Sequence, residues 1–230
     1  MNAFSSFLSS SIGRKWIVAL TGLGLFGFVV AHLVGNLQIF LGPEAINRYG
    51  AFLQSTGELL WVARISLLVM VVLHIFYTVK LRIESRTARP ERYAVVKRRV
   101  ASLPARWMMW SGLMVLCFIV YHLLHFTVQT EAVNGLGKNF VELHDAQGRH
   151  DVYRMMVLGF GHPVVSGFYL VSIGLLSLHL HHGFQSLFQT LGLNSKKLAP
   201  FWSKGGQTLS WLIFIGYASI PAAVLTGLLK

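Results

Sequence analysis

The chain has 230 residues, 54% of them hydrophobic and 12% charged, with 20 lysines and arginines against 8 acids and a mean hydropathy of +0.58. This composition excludes a soluble enzyme and a disordered chain, and the length accommodates about five bilayer spans of about 20 residues each, with no room for a separate catalytic domain. A single cysteine, Cys117, excludes a disulfide framework, a four-cysteine zinc site and a self-contained iron–sulfur cluster.

In chain order, five apolar stretches predict transmembrane helices, at 16–40, 59–81, 107–128, 163–188 and 208–229, within one all-α transmembrane domain covering 1–230. The first follows Arg14 and Lys15 but is longer than a signal-peptide core and has no small-residue cleavage site after it, so it is read as a retained helix. It carries His32, and the second carries His74. The segment 82–106 is basic and contains Pro90 and Pro104; it predicts a loop. The third span holds His122, His125 and Cys117, the last read as a small apolar filler. Segment 129–161 is polar, carries His144 and His150, and predicts a second loop; both loops leave room for short surface helices. His162 precedes Pro163 and is expected to cap the fourth span, which contains His179, His181 and His182. Trp107, Trp110, Trp202 and Trp211 fall near span ends, as in an aromatic belt.

Basic residues near span ends resist translocation. Fourteen of the 20 fall on the side of the N-terminus, while the other side holds six basic residues and six of the eight acids, including Glu44, Glu58, Asp145 and Asp151. The N-terminus is therefore expected inside and the C-terminus outside. The whole positive excess then has a topological explanation, and a nucleic-acid reading loses its support.

An ionisable side chain in hydrocarbon is costly, turns into the bundle and signals function. His32 lies 16 residues beyond Trp16 and His122 lies 16 beyond Arg106, so at 1.5 Å per residue both rise about 24 Å from the inner face. His74 and His179 lie 15 and 16 residues into the antiparallel second and fourth spans and share a level nearer the inside. Two facing neutral imidazoles satisfy a six-coordinate haem iron, whereas zinc or copper requires three or four ligands at one level. The predicted pairs are His74 with His179 (inner) and His32 with His122 (outer). His125, about 60° around the helix from His122, competes for the outer position. His182 stands in the same relation to His179 and is either a contact for a haem propionate or an interfacial histidine; His181 points elsewhere, and His144 and His150 are expected in water. Gly22, Gly24, Gly27, Gly35, Gly112, Gly167 and Gly174 fit close approach to a porphyrin and equally fit ordinary helix packing.

The segments SSIGRKW (10–16), AHLVGN (31–36), VLHIFY (72–77), YHLLHF (121–126) and LHLHHGFQSLFQTLG (178–192) together resemble the five-helix, di-haem cytochrome b membrane anchor of bacterial succinate dehydrogenases and fumarate reductases. The resemblance spans nearly the whole chain. It implies His32, His74, His122 and His179 as axial ligands of two haem b groups, selecting His179 over His181 and His182 and favouring His122 over His125. It further implies a bacterial cytoplasmic-membrane complex, part of the respiratory chain, in which a flavoprotein carrying FAD and an iron–sulfur subunit dock on the cytoplasmic side. This chain would exchange electrons with quinone, menaquinone in the usual case. The basic segment from Arg82 to Arg106, Arg98 and Arg99 included, is the expected docking surface. A quinone site is expected near the outer haem, with Glu58, Asn36 and Gln38 as candidate proton-handling groups; Glu58 is the nearest counterpart of a carboxylate used in one branch of the family, at a different spacing from His74. The competing readings are a haem b gamma-type subunit of a hydrogenase or formate dehydrogenase, which normally has four helices, and a non-redox transporter using the histidines as a proton path, for which the sequence offers no inverted repeat.

Overall fold

The computed structural model describes residues 2–88 and 103–230. Those residues form eight α-helices: α1 (Ala3–Ser9), α2 (Ser11–Leu37), α3 (Pro43–Ser55), α4 (Glu58–Thr87), α5 (Leu103–His122), α6 (Val152–Gly161), α7 (Pro163–Thr190) and α8 (Ala199–Leu225). Five of them, α2, α4, α5, α7 and α8, are long and apolar enough to cross a bilayer. The protein is an all-α, multi-pass membrane protein. Helices of this kind satisfy every backbone polar group internally in the absence of water.

The helices extend past the apolar stretches that reveal them. α2 begins at Ser11, five residues before Trp16, because Ser10 caps it: its Oγ accepts the Gly13 N–H at 3.0 Å. At the other end α2 tightens into a 3₁₀ turn, Gln38–Leu41, and stops at Gly42, whose φ of 96° suits glycine. α4 runs on to Thr87 rather than residue 81. α8 starts at Ala199, nine residues before the expected 208, and ends at Leu225 rather than 229. Its polar first turns are held by Trp202, which stacks on Phe188 at 3.6 Å and donates its Nε1–H to Leu193 O at 3.0 Å. α5 continues as a π-turn, Leu123–Thr127.

Contacts fix the directions. Gly22 faces His74 while Gly24 faces Met70, so α4 is antiparallel to α2; Gly112 faces His179 while Phe118 meets Phe168, so α7 is antiparallel to α5. α8 packs against α7 through Gly206 on Phe184 and Gly174 on Phe214, and against α2 through Gly216 on Leu33. The end at which α2, α5 and α8 begin is termed proximal and the opposite end distal. Proximally, Arg14 of α2 pairs with Glu84 of α4. Among the described residues α4 has no buried side chain, and Leu59, Val62, Ile65, Leu68, Val72 and Phe76 along it are exposed, as expected of a surface whose solvent is lipid.

α3 lies in the connection between the first two spans, and α6 in the segment 129–161, where the sequence leaves room for a short surface helix; most of 82–106 falls outside the described residues. α3 and α6 form a polar-edged cap over the distal end, and the buried apolar cluster lies beneath it, joining Ile39, Ile46, Met156, Phe160, Tyr169 and Ile220. Asn47 ties the cap together: its Nδ2 donates to Asp145 Oδ2 at 3.3 Å and Asp151 Oδ1 at 3.0 Å, and its Oδ1 accepts the Tyr153 N–H at 2.9 Å. Outside it, Arg149 bonds Asp145 and Glu44, and the Arg149 hydrogen bond holds the Glu44 carboxyl below its usual range. His150, expected in water, is instead part-buried and meets Gln129 Nε2 at 3.0 Å; burial pushes its imidazole pKa down. His144 is exposed.

Candidate functional site

The histidines of α2, α4, α5 and α7 are fixed at two levels. At the proximal level, His74 of α4 rests on the backbone of α2. A Cβ on Gly22 would lie 3.2 Å from His74 Cε1, and His74 Nδ1 lies 3.2 Å from Val18 O and 3.3 Å from Thr21 Oγ1. His179 of α7 rests on α5 in the same way: a Cβ on Gly112 would lie 3.3 Å from His179 Cε1, and Nδ1 lies 3.3 Å from Ser111 Oγ. Each histidine is the sixteenth residue beyond the first of its helix. The two hairpins α2/α4 and α5/α7 are thus built alike.

At the distal level, His32 and His122 stand with ring centroids 5.8 Å apart and planes at 81°. Gly22 is ten residues before His32 and Gly112 ten before His122, so the proximal histidines lie about 15 Å below this pair on both hairpins. Phe28 stacks on His32 at 5.2 Å. His122 Nδ1 lies 3.3 Å from the Tyr169 hydroxyl.

His125 occupies a different place. It is fully buried, its Nδ1 lies 3.0 Å from the same Tyr169 hydroxyl, and its ring stacks on Phe126 at 3.9 Å. A Cβ on Gly159 would lie 3.0 Å from His125 Nε2, so this nitrogen faces α6, in the cap. The π-turn that starts at Leu123 sets this direction.

His182 points a buried Nδ1 that finds no hydrogen-bond partner among the described residues, while its Nε2 meets Ser186 Oγ at 3.2 Å. Thr78 Oγ1 and Ser177 Oγ are likewise buried and unpartnered among the described residues. Thr78 and His182 lie one turn proximal of His74 and His179. His181 bonds Gln185. His162 stands at the N-terminus of α7 but its side chain makes no capping bond; only its carbonyl does, to Ser166 N–H at 3.0 Å. Among the described residues no three or more His, Cys, Asp or Glu converge in a metal-binding cluster.

The structure separates the three polar residues considered near the outer end. Asn36 spends its amide on His32 O at 2.7 Å within its own helix. Gln38 lines an open groove of about 320 Å³ with Ala45, Arg48, Tyr49 and Phe52. Glu58 opens α4, exposed, outside that lining. Arg98 and Arg99, with most of the basic segment, fall outside the described residues.

Fold and site together define a five-span membrane protein whose interior presents His32 and His122 side by side at one depth and His74 and His179 at another. No family model, curated protein or solved structure matches the chain. Thr21, Ser111 and Tyr169 were not singled out in the sequence. The signal for the first two is there: a hydroxyl residue followed by glycine, eleven residues before the histidine of α2 and of α5.

Proposed function

We propose that this chain is the membrane-anchor cytochrome b subunit of a succinate:quinone oxidoreductase, holding two haem b groups, the proximal one between His74 and His179 and the distal one between His32 and His122. The observation that carries it is the arrangement of four intramembrane histidines, one from each of four helices, at two levels about 15 Å apart, two per level. The residues fit the group. Two axial imidazoles at about 2 Å from one iron place their ring centres about 6 Å apart, and the rings of His32 and His122 are separated by 5.8 Å. Glycines let the proximal rings lie against backbone, and the unpartnered Thr78 and His182 atoms suit propionate oxygens one turn away.

Haem supplies one-electron transfer that no side chain here provides. The chain's residues fix the ligand nitrogens, keep the site dry within the apolar bundle and set where electrons enter and leave. In this reading the proximal end is cytoplasmic and its basic residues receive the iron–sulfur subunit, with the FAD flavoprotein beyond it, in a bacterial cytoplasmic membrane. Quinone, menaquinone in the resembling family, reacts at the distal end, because a second haem serves no purpose if quinone is met at the proximal one. The groove lined by Gln38 and Arg48 is the better-placed site; Asn36 is committed to backbone and Glu58 lies outside the groove.

The purified chain is expected to give a reduced-minus-oxidised spectrum of b-type haem with two haems per chain, and to recover flavoprotein and iron–sulfur subunits on mild solubilisation, with succinate reducing the haem. Absence of haem sinks the reading. Haem with a hydrogenase or formate dehydrogenase partner instead would transfer the chain to the gamma-type class.

A further inference from the structure

The two proximal histidines are gripped by the same device on two different helices, and the donor and acceptor chemistry of the partners fixes the direction of each hydrogen bond in it. Thr21 Oγ1 lies 2.7 Å from Ile17 O and 3.2 Å from Val18 O. Both are carbonyl acceptors, so the hydroxyl hydrogen is committed to the helix backbone and only a lone pair is left for His74 Nδ1 at 3.3 Å. Val18 O, 3.2 Å from the same nitrogen, can only accept. Two acceptors meet Nδ1, so Nδ1 carries the proton. A neutral imidazole has one N–H, so Nε2 is left as the lone-pair donor. On the other hairpin, Ser111 Oγ gives its hydrogen to Met108 O at 3.1 Å and offers its lone pair to His179 Nδ1 at 3.3 Å. The next residue in each case is a glycine against the ring's Cε1, and no larger residue would let the ring edge settle there without moving it by a few tenths of an ångström.

Resting on the haem reading above, we propose that Thr21 and Ser111 are positioning residues for the proximal haem: each hydroxyl selects the histidine tautomer whose Nε2 ligates iron and, by accepting the Nδ1 proton's hydrogen bond, raises the donor strength of that nitrogen. Outer-shell acceptors of this kind orient metal-bound histidines and increase ligand basicity, which favours the ferric state. The two hydroxyls are not equivalent. His74 retains the Val18 carbonyl when Thr21 is lost, whereas Ser111 is the partner of His179 Nδ1 among the described residues.

The test uses the full chain co-expressed with its partner subunits, with haem per chain and the midpoint potentials of both haems read by redox titration. Ser111→Ala should raise the midpoint potential of one haem, or drop the haem count from two to one, and leave the other haem's potential in place. Ser111→Thr should return the wild-type potential. Thr21→Val should shift the same haem in the same direction by less, and Thr21→Ser should restore it. Should Ser111→Ala fail to accumulate, Ser111→Cys, a weak acceptor of similar volume, is expected to raise the same potential. Unchanged potentials and haem count in Ser111→Ala, or an equal shift of both haems, overturn the assignment. A wild-type chain without haem overturns the underlying reading instead, and the two failures cannot be confused.

Discussion

If the chain holds two haems as proposed, substituting His122 by alanine is expected to lower the haem content from two per chain to one, whereas His125→Ala leaves it at two. The two histidines are three residues apart on one helix and share the Tyr169 hydroxyl, yet they face different neighbours. The His122 ring stands 5.8 Å from that of His32. The His125 Nε2 is directed at the backbone of Gly159 in α6, where even a methyl group would come within 3.0 Å, so no porphyrin edge can enter between them. A haemochromogen assay on membranes holding each variant reads the count directly. The functional consequence separates the two as well. Under the proposed reading, with His122 gone, succinate should still reduce the proximal haem while quinone turnover falls to background; His125→Ala should keep turnover and lose packing and the Tyr169 hydrogen bond in the cap. Loss of haem in His125→Ala with retention in His122→Ala reverses the distal ligand.

Asn47→Ala is expected to destabilise the protein by about 2–4 kcal/mol, since it removes three hydrogen bonds, two of them to carboxylates, at a site 1% exposed, where such bonds are worth about 0.5–1.5 kcal/mol each and more to a charged partner. The contrast is Glu44→Gln. Its ion pair with Arg149 is short, at 2.6 Å, but the Glu44 side chain is 64% exposed, and pairs of that kind contribute about 0–1 kcal/mol. Burial, not charge, decides the order. Unfolding midpoints of the detergent-solubilised protein should therefore fall clearly for Asn47→Ala and little for Glu44→Gln; equal shifts would mean that the cap is held by its charges. Because Asn47 adjoins Arg48, the same variant should weaken quinone turnover under the reading proposed for the distal groove.

The five spans were legible in the sequence because the bilayer imposes a length and a polarity that few other environments demand. Helix rise is fixed at 1.5 Å per residue, so counting along 16–40 and 107–128 was enough to place His32 and His122 at one depth, and the same holds for His74 and His179. The ends of the helices were less legible. Hydropathy falls where a helix leaves hydrocarbon, but its backbone hydrogen bonds continue, so a capping serine at Ser10 extends α2 to Ser11 and an aromatic stack on Trp202 carries α8 back to Ala199.

What only the tertiary structure decided is direction around each helix and company at each atom. Spacing leaves His122 and His125 about 60° apart and equally eligible; the π-turn after His122 and the approach of α6 turn one toward α2 and bury the other under the cap. The same is true of Thr21 and Ser111. Hydroxyl residues are ordinary in membrane helices, and nothing in a one-dimensional pattern says whose lone pair meets whose proton. That is fixed when antiparallel helices bring His74 onto Thr21 and His179 onto Ser111. Polarity and period are properties of a chain, while the partner of a buried polar atom is a property of packing, and here the candidate chemistry lies in the second.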